Sequence, residues 1–359
     1  MRDEDSLERW ASLGDSNASP ELASARLQIA RTTLDKLETY LRHPNKKTGL
    51  REAGRVEYVT PGLLSRADVA RAEQLYRELC ETGGNGSTYA QDGILSLIAD
   101  SRYPESIPFW LELLDFSRPR DSFTQSRRHW AVAALAYLGM SDSPEAENAL
   151  AQAARHANPD VRTLAVYYWG RLYIDTGRKL LRPTAAAFRQ IAVEDPAFTP
   201  RFQARQFLRQ HKRAVPNDTP GGVYAFQVSF RHAKAFFSRT LELRAEDTLE
   251  DLHGAIQRAL KWDNDHLYSF FLNNDEHDEL YSFSCPYEED RPPWTHEAVL
   301  GELGLTHRHT FLYLFDYGDH HLFEIKVVDI QSQALSNVSY PRVAESQGEA
   351  PPQYESYDE

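Results

Sequence analysis

The hydrophobic period of this 359-residue chain changes once, across Val215-Pro216-Asn217-Asp218-Thr219-Pro220-Gly221-Gly222. Before that segment the apolar residues recur at helical spacing, and after it they alternate. A helical period buries one stripe of a helix, and a period of two buries one face of a strand. The two halves therefore need different architectures. The chain reads as multidomain: an all-α N-terminal part, a linker at 215–222, and a C-terminal α+β part. Its length lets each part bury a core.

In the first half, Leu22, Leu27, Ile29, Leu34, Leu37 and Leu41 mark a helix over 22–42, with Pro44 beyond its end. A second helix is expected from Arg66 to Glu81, stopped by Gly83-Gly84-Asn85-Gly86. That glycine cluster lacks the lysine and the preceding strand of a phosphate loop, so it reads as a plain loop. From Gln91 a pattern recurs. Arg128-x-x-Ala131-x-x-Ala134-Leu135 is followed 34 residues later by Arg162-x-x-Ala165, and 39 residues after that by Arg201-x-x-Ala204-x-x-Phe207. Partner helices are expected at Pro104–Leu114, Pro144–Ala154 and Pro183–Val193. Asn158-Pro159-Asp160-Val161-Arg162 supplies a turn, an N-cap and a first helical turn.

These residues resemble HEAT-type repeats, whose helix pairs recur at roughly 40 residues. Asp160-Val161-Arg162 carries the best match, and the resemblance covers about 88–212. It implies an extended surface for another macromolecule. Arg127, Arg128, Arg162, Arg201 and Arg205 have two readings: phosphate contacts along one edge, or pairing with neighbouring acids such as Asp160 to hold the turns.

In the second half, Tyr224, Phe226, Val228 and Phe230 alternate along a strand at 223–230, and 236–243 completes a hairpin. Asp247-Thr248-Leu249-Glu250 caps a helix running to Leu260. A third strand is expected at 267–272. Strands at 311–315 and 322–328 flank Asp316-Tyr317-Gly318-Asp319, which reads as a tight hairpin turn. The order implies a β-grasp-like mixed sheet.

Four motifs follow one another here: Asp247-Thr248-Leu249-x-x-Leu252-His253, Trp262-Asp263-x-x-His266-Leu267, Tyr313-x-x-Asp316-Tyr317-Gly318-Asp319, and Tyr340-Pro341-Arg342. In this the region 222–353 resembles the plasmid pRiA4b ORF-3-like family of small α+β domains. The resemblance implies that Asp263, His266, Asp316, Asp319 and Arg342 are family-motif polar residues, and it suggests a link to mobile elements. Val343 stands where a cysteine usually follows Pro-Arg, and a second cysteine near Ala350-Pro351-Pro352 is absent. No thiol or cysteine-metal role is expected.

The resulting layout is a disordered N-terminus at 1–20, helices over 21–87, HEAT-like repeats over 88–214, the linker, an α+β domain at 223–342, and an acidic disordered tail at 343–359. Charge separates the halves: residues 1–215 carry a net +3 and residues 216–359 a net −16. The acidic half repels phosphate, so nucleic-acid contact would fall to Arg128, Arg162, Arg201 and Arg205 in the basic half. The stretch 263–290 has nine acidic residues and no lysine or arginine, and reads as a solvated loop or a dock for a basic partner.

The most site-like collection is Asp263, His266, Asp316, Asp319, His320, His321 and Glu324. Within it Asp263, His266, Asp319 and His321 are the metal-ligand candidates, since imidazole and carboxylate can share a divalent ion. His320 and His321 are adjacent, so at most one joins a single site. In the competing reading Asp316 and Asp319 shape the turn while Asp263 and His266 bond around the helix end. Hydrolase elbows, dinucleotide glycine patterns and paired-cysteine motifs are absent, and no cofactor is expected. Cys80 and Cys285 form no disulfide framework, the acidic N-terminus is not a signal peptide, and no apolar run spans a bilayer. The expectation is a cytoplasmic, non-enzymatic adaptor with a protein partner. Nucleic-acid binding through the repeats, or metal-dependent hydrolysis by the Asp/His group, are the alternatives.

Overall fold

The computed structural model describes residues 20–42, 64–82, 88–117, 121–141, 143–231, 236–287 and 292–354. The glycine cluster at 83–86 and most of the N-terminal segment expected to be disordered lie outside them. The chain divides into two compact units, Met1–Lys179 and Leu180–Glu359.

The first unit is helical: α1 (Pro20–Arg42), α2 (Arg66–Thr82), α3 (Thr88–Ser101), α4 (Ile107–Asp115), α5 (Thr124–Gly139), α6 (Pro144–Ala153) and α7 (Pro159–Thr176). Local chemistry sets several ends. Asn158 Oδ1 accepts the backbone N–H groups of Asp160 and Val161 at 2.8 and 3.2 Å, with Pro159 pre-set in the first turn. Gly177 ends α7 in the left-handed conformation. Ser143 caps α6 by accepting from Ala146 N.

Helices two apart in sequence pack together as well as neighbours: α3 on α5, α5 on α7, and α4 on α6. The small residues of α5 permit this. Ala131, Ala133, Ala134 and Ala136 are all buried, and a Cβ on Gly139 would meet Leu172 Cδ2 of α7 at 2.9 Å. The helix is buried on nearly every side over its second half, as an interior layer requires.

The second unit contains a helix pair, α8 (Arg182–Glu194) and α9 (Phe198–Gln210), and a seven-stranded sheet. Its strands are β1 (Val223–Phe230), β2 (Ser238–Arg244), β3 (Tyr268–Phe271), β4 (Ser282–Ser284), β5 (Thr310–Phe315), β6 (His321–Gln331) and β7 (Arg342–Gln347), in the order β4-β3-β5-β6-β1-β2-β7. Every pairing between these strands is antiparallel, so the expected mixed sheet is not found. The reason is that β1 takes β6 as its second neighbour, running opposite to it, where a β-grasp sheet needs a parallel partner.

The alternation in β1 lays Tyr224, Phe226 and Val228 in the core, with Phe230 at its margin. Helix α10 (Leu249–Leu260) covers that face with Leu249, Leu252, Ile256 and Leu260. Each large side chain so buried contributes about 1.5–3 kcal/mol. Thr248 and Asp251 form a reciprocal capping box at its start.

Two boundaries differ from expectation. Helices α8 and α9 belong to the compact unit of the sheet, because Phe202 of α9 enters the sheet core against Tyr281 and Phe283. Residues 343–347 of the expected disordered tail continue from Arg342 as β7, held to β2 by backbone pairing and by Arg342 on Glu242 at 2.7 Å. The acidic stretch after Asp263 contains the expected third strand, β3, and beyond it β4. Among the described residues no helix is long and apolar enough to cross a membrane.

Candidate functional site

Phe315 and His321 are the last paired residues of the β5–β6 hairpin, leaving Asp316–His320 as its loop. Asp316 and His320 both have positive φ, 57° and 53°, a conformation that Asp tolerates through local hydrogen bonding. Asp316 Oδ1 accepts Gly318 N at 2.9 Å and Asp319 N at 3.2 Å. Asp316 is buried, with Asp319 exposed and His321 half-buried. One ligand atom from each of Asp316, Asp319 and His321 lies within 4.8 Å of the others.

His321 opens β6 on the core face, its ring 4.8 Å from that of Trp262 and 6.0 Å from that of Phe230. Burial pushes its pKa below the ordinary histidine value, against the opposing pull of Asp319 and Asp316. Its Nε2 is buried without a hydrogen-bond partner. His266, just before β3, reaches the same place: its Nε2 is 3.4 Å from Asp316 Oδ2 and 3.0 Å from the Tyr354 hydroxyl.

The C-terminal segment closes this end of the sheet. Trp262 Nε1 donates to Pro351 O at 2.9 Å. The Gln353 side chain accepts Asp263 N at 2.7 Å and donates to Asp263 O at 3.0 Å. Gln353 and Tyr354 fall in the expected disordered tail, and no local pattern marks them. The pairing comes from residues about 90 positions away.

Of the sequence candidates, the structure brings together Asp316, Asp319 and His321, with His266 alongside. It does not bring in Asp263, whose backbone is the part engaged. His320 turns instead to Glu276, 3.0 Å away. Glu324 shares the face of Leu322, opposite the core. Arg342 pairs with Glu242 on the far strands. The two oxygens of Asp316 are used differently, Oδ1 within the loop and Oδ2 toward His266.

Beneath this end lies a buried polar chain. His253 Nδ1 is 2.7 Å from the Tyr313 hydroxyl, and its Nε2 is 2.7 Å from Asn264 Oδ1. Asn264 Oδ1 can only accept, so Nε2 carries the proton and Nδ1 accepts from Tyr313. Gln257 Nε2 donates to the same hydroxyl at 2.8 Å. Burial pushes the His253 pKa down to about 4, and its ring stacks on Tyr268 at 3.6 Å. The sequence motif contains His253 but carries no sign of its burial.

Arg127, Arg162, Arg201 and Arg205 are buried. Arg162 Nη1 donates to the carbonyls of His156 and Ala157 at 2.9 and 3.0 Å. Arg201 donates to Asp195 O at 2.6 Å and Gly304 O at 2.9 Å. Both therefore bond a carbonyl six residues earlier. Arg205 is 1% exposed and bonds Ala192 O, Pro216 O and Asp218 Oδ1. Arg127 is satisfied by Tyr76, Asp121 and Gln91. Arg128, half-buried, donates to Leu114 O at 3.2 Å. Arg162, Arg201 and Arg205, the expected phosphate contacts, are thus buried and donate to backbone carbonyls, and Arg205 pairs as well with the acid Asp218.

No curated protein matches the chain. Among solved structures, a protein of unknown function from Methanosarcina mazei Go1 is similar at 24% identity over 38% of this chain and 74% of that one, with a TM-score of 0.33. The sheet-bearing region, residues 222–354, matches the family described as plasmid pRiA4b ORF-3-like protein.

Proposed function

We propose that this protein is a non-enzymatic macromolecular binding or adaptor protein, with a short HEAT-like array as its first unit and an acidic binding domain as its second. The observation that carries the reading is the packing within α3 to α7, where helices two apart in sequence contact one another. Packing of this kind builds surface by repetition, and proteins so built use that surface for partners. Burial of Arg162, Arg201 and Arg205 favours a protein partner over nucleic acid, since buried guanidinium groups on carbonyls have little left for phosphate. The link to mobile elements rests on the family likeness of 222–354.

The test is affinity capture of full-length protein and of residues 180–359 from native lysate, with and without nuclease, followed by titration with the purified partner. A nuclease-resistant partner that binds again as a purified protein supports the adaptor. Partners lost to nuclease, and captured by full-length protein alone, move the function to nucleic acid. The Asp316, Asp319 and His321 group favours a second reading, a metal-dependent hydrolase. Turnover of ester or phosphodiester substrates that disappears in His321→Gln would establish it.

A further inference from the structure

The hairpin loop between β5 and β6 has a feature that turn-making alone does not require. Asp316 shapes the loop with Oδ1, yet its Oδ2 points to His266 and a ring nitrogen of His321 converges on the same carboxylates. His321 Nε2 has no hydrogen-bond partner although it is buried, an arrangement that costs free energy unless something takes the lone pair or the proton. The spacing fits one small ion. Two ligands each about 2.1 Å from one ion, at a tetrahedral angle, lie roughly 3.4 Å apart. His266 Nε2 and Asp316 Oδ2 are 3.4 Å apart. The atoms of Asp316, Asp319 and His321 fall within 4.8 Å, close enough for a shared ion after small side-chain rotations.

We propose that Asp316, Asp319 and His321, with His266 as the fourth donor, form a binding site for a divalent transition-metal ion of the zinc class. Imidazole nitrogen with carboxylate oxygen suits Zn²⁺, Co²⁺ or Ni²⁺, whereas Ca²⁺ and Mg²⁺ take oxygen ligands. Two elements and the approach to a third supply the donors: the hairpin loop, the first residue of β6, and the segment before β3. Tyr354 and Gln353 lie over the outer side, where the Tyr354 hydroxyl bonds His266 and the Gln353 amide is 3.2 Å from Asp265. The Tyr354 hydroxyl shares that Nε2, so His266 becomes the fourth donor by exchanging Tyr354 for the ion. The site stands apart from the adaptor reading and holds whether or not a partner is found.

The test titrates Zn²⁺ into full-length protein against a chromophoric chelator, with Ca²⁺ and Mg²⁺ in parallel. The variants are Asp319→Asn and His321→Gln among the donors, and His277→Gln and His320→Gln as histidines outside the donor set, the His320 ring being turned to Glu276. Asp319 is exposed and Asp319→Asn keeps the loop's shape, so a folded variant, checked by its melting curve, remains informative even if His321→Gln unfolds. One Zn²⁺ per chain, weakened at least about tenfold in Asp319→Asn and unchanged in His277→Gln and His320→Gln, supports the site. Zn²⁺ bound equally by all four variants, no saturable Zn²⁺ binding, or Ca²⁺ and Mg²⁺ bound as tightly as Zn²⁺, would each overturn it.

Discussion

His253 sits 2% exposed between Tyr313 and Asn264, with a pKa held at about 4 by burial. An unfolded chain restores the ordinary value of 6.5. Between those values the unfolded protein binds a proton that the folded one excludes, so acid favours unfolding. The stability tied to His253 is complete above pH 6.5 and falls through pH 4 by on the order of 3 kcal/mol. Melting temperature measured from pH 7 to 4 is expected to drop across this window, and His253→Gln to flatten the drop. Arg205 makes a second prediction. Arg205→Met strands Asp218 and two buried carbonyls, a loss of about 3–5 kcal/mol by the standard of broken buried ion pairs. Urea unfolding of residues 180–359 measures it, and a change within error would mean that the guanidinium bonds contribute nothing net. These internal roles are not legible in the sequence. Arg-x-x-Ala fixes a register, but the carbonyls that receive Arg162 and Arg201 are backbone atoms without a residue signature.

The pair α8–α9 behaves as part of the sheet's fold. Phe202 lies among core residues of the sheet, Phe198 packs 4.1 Å from His309, and Arg201 reaches Gly304. A fragment of residues 180–359 is expected to melt cooperatively, whereas 215–359, which lacks α9, is expected to expose the apolar surface around Tyr281 and Phe283 and to bind a hydrophobic dye at neutral pH. Equal melting temperatures for the two fragments would contradict this. The sequence shows the helix pair clearly, since Phe202, Ala204, Phe207 and Leu208 have helical spacing. It does not show which unit receives them, because a repeat-like helix carries the same apolar stripe against a neighbour repeat or a sheet. Strand β7 is illegible for a different reason. All six of its residues are exposed, so no alternation marks it, and its pairing with β2 is a backbone event. The Asp316–Asp319–His321 group was readable in part because its members are neighbours in sequence. Tyr354 and Gln353 arrive from far along the chain and leave no local mark.

At the scale of the molecule, a net charge of −13 is joined to buried arginines, Arg162 and Arg201, that bond backbone carbonyls. Duplex DNA at physiological salt is therefore expected to bind more weakly than about 0.1 mM, the weak end of non-specific affinity. Fluorescence anisotropy of a labelled duplex across a salt series checks this. Tight binding with a steep salt slope would require basic groups other than Arg162, Arg201 and Arg205. The bond from Arg201 to Gly304 spans 103 residues and sets an order in time. A ribosome adds about 5–20 residues per second, so α9 waits roughly 5–20 s in the cell before its acceptor exists. During that interval Phe198 and Phe202 have no sheet to enter. A newborn chain therefore passes through a stage in which its first unit is complete and its middle is a sticky amphipathic helix pair, the stage at which a chaperone would find most to hold.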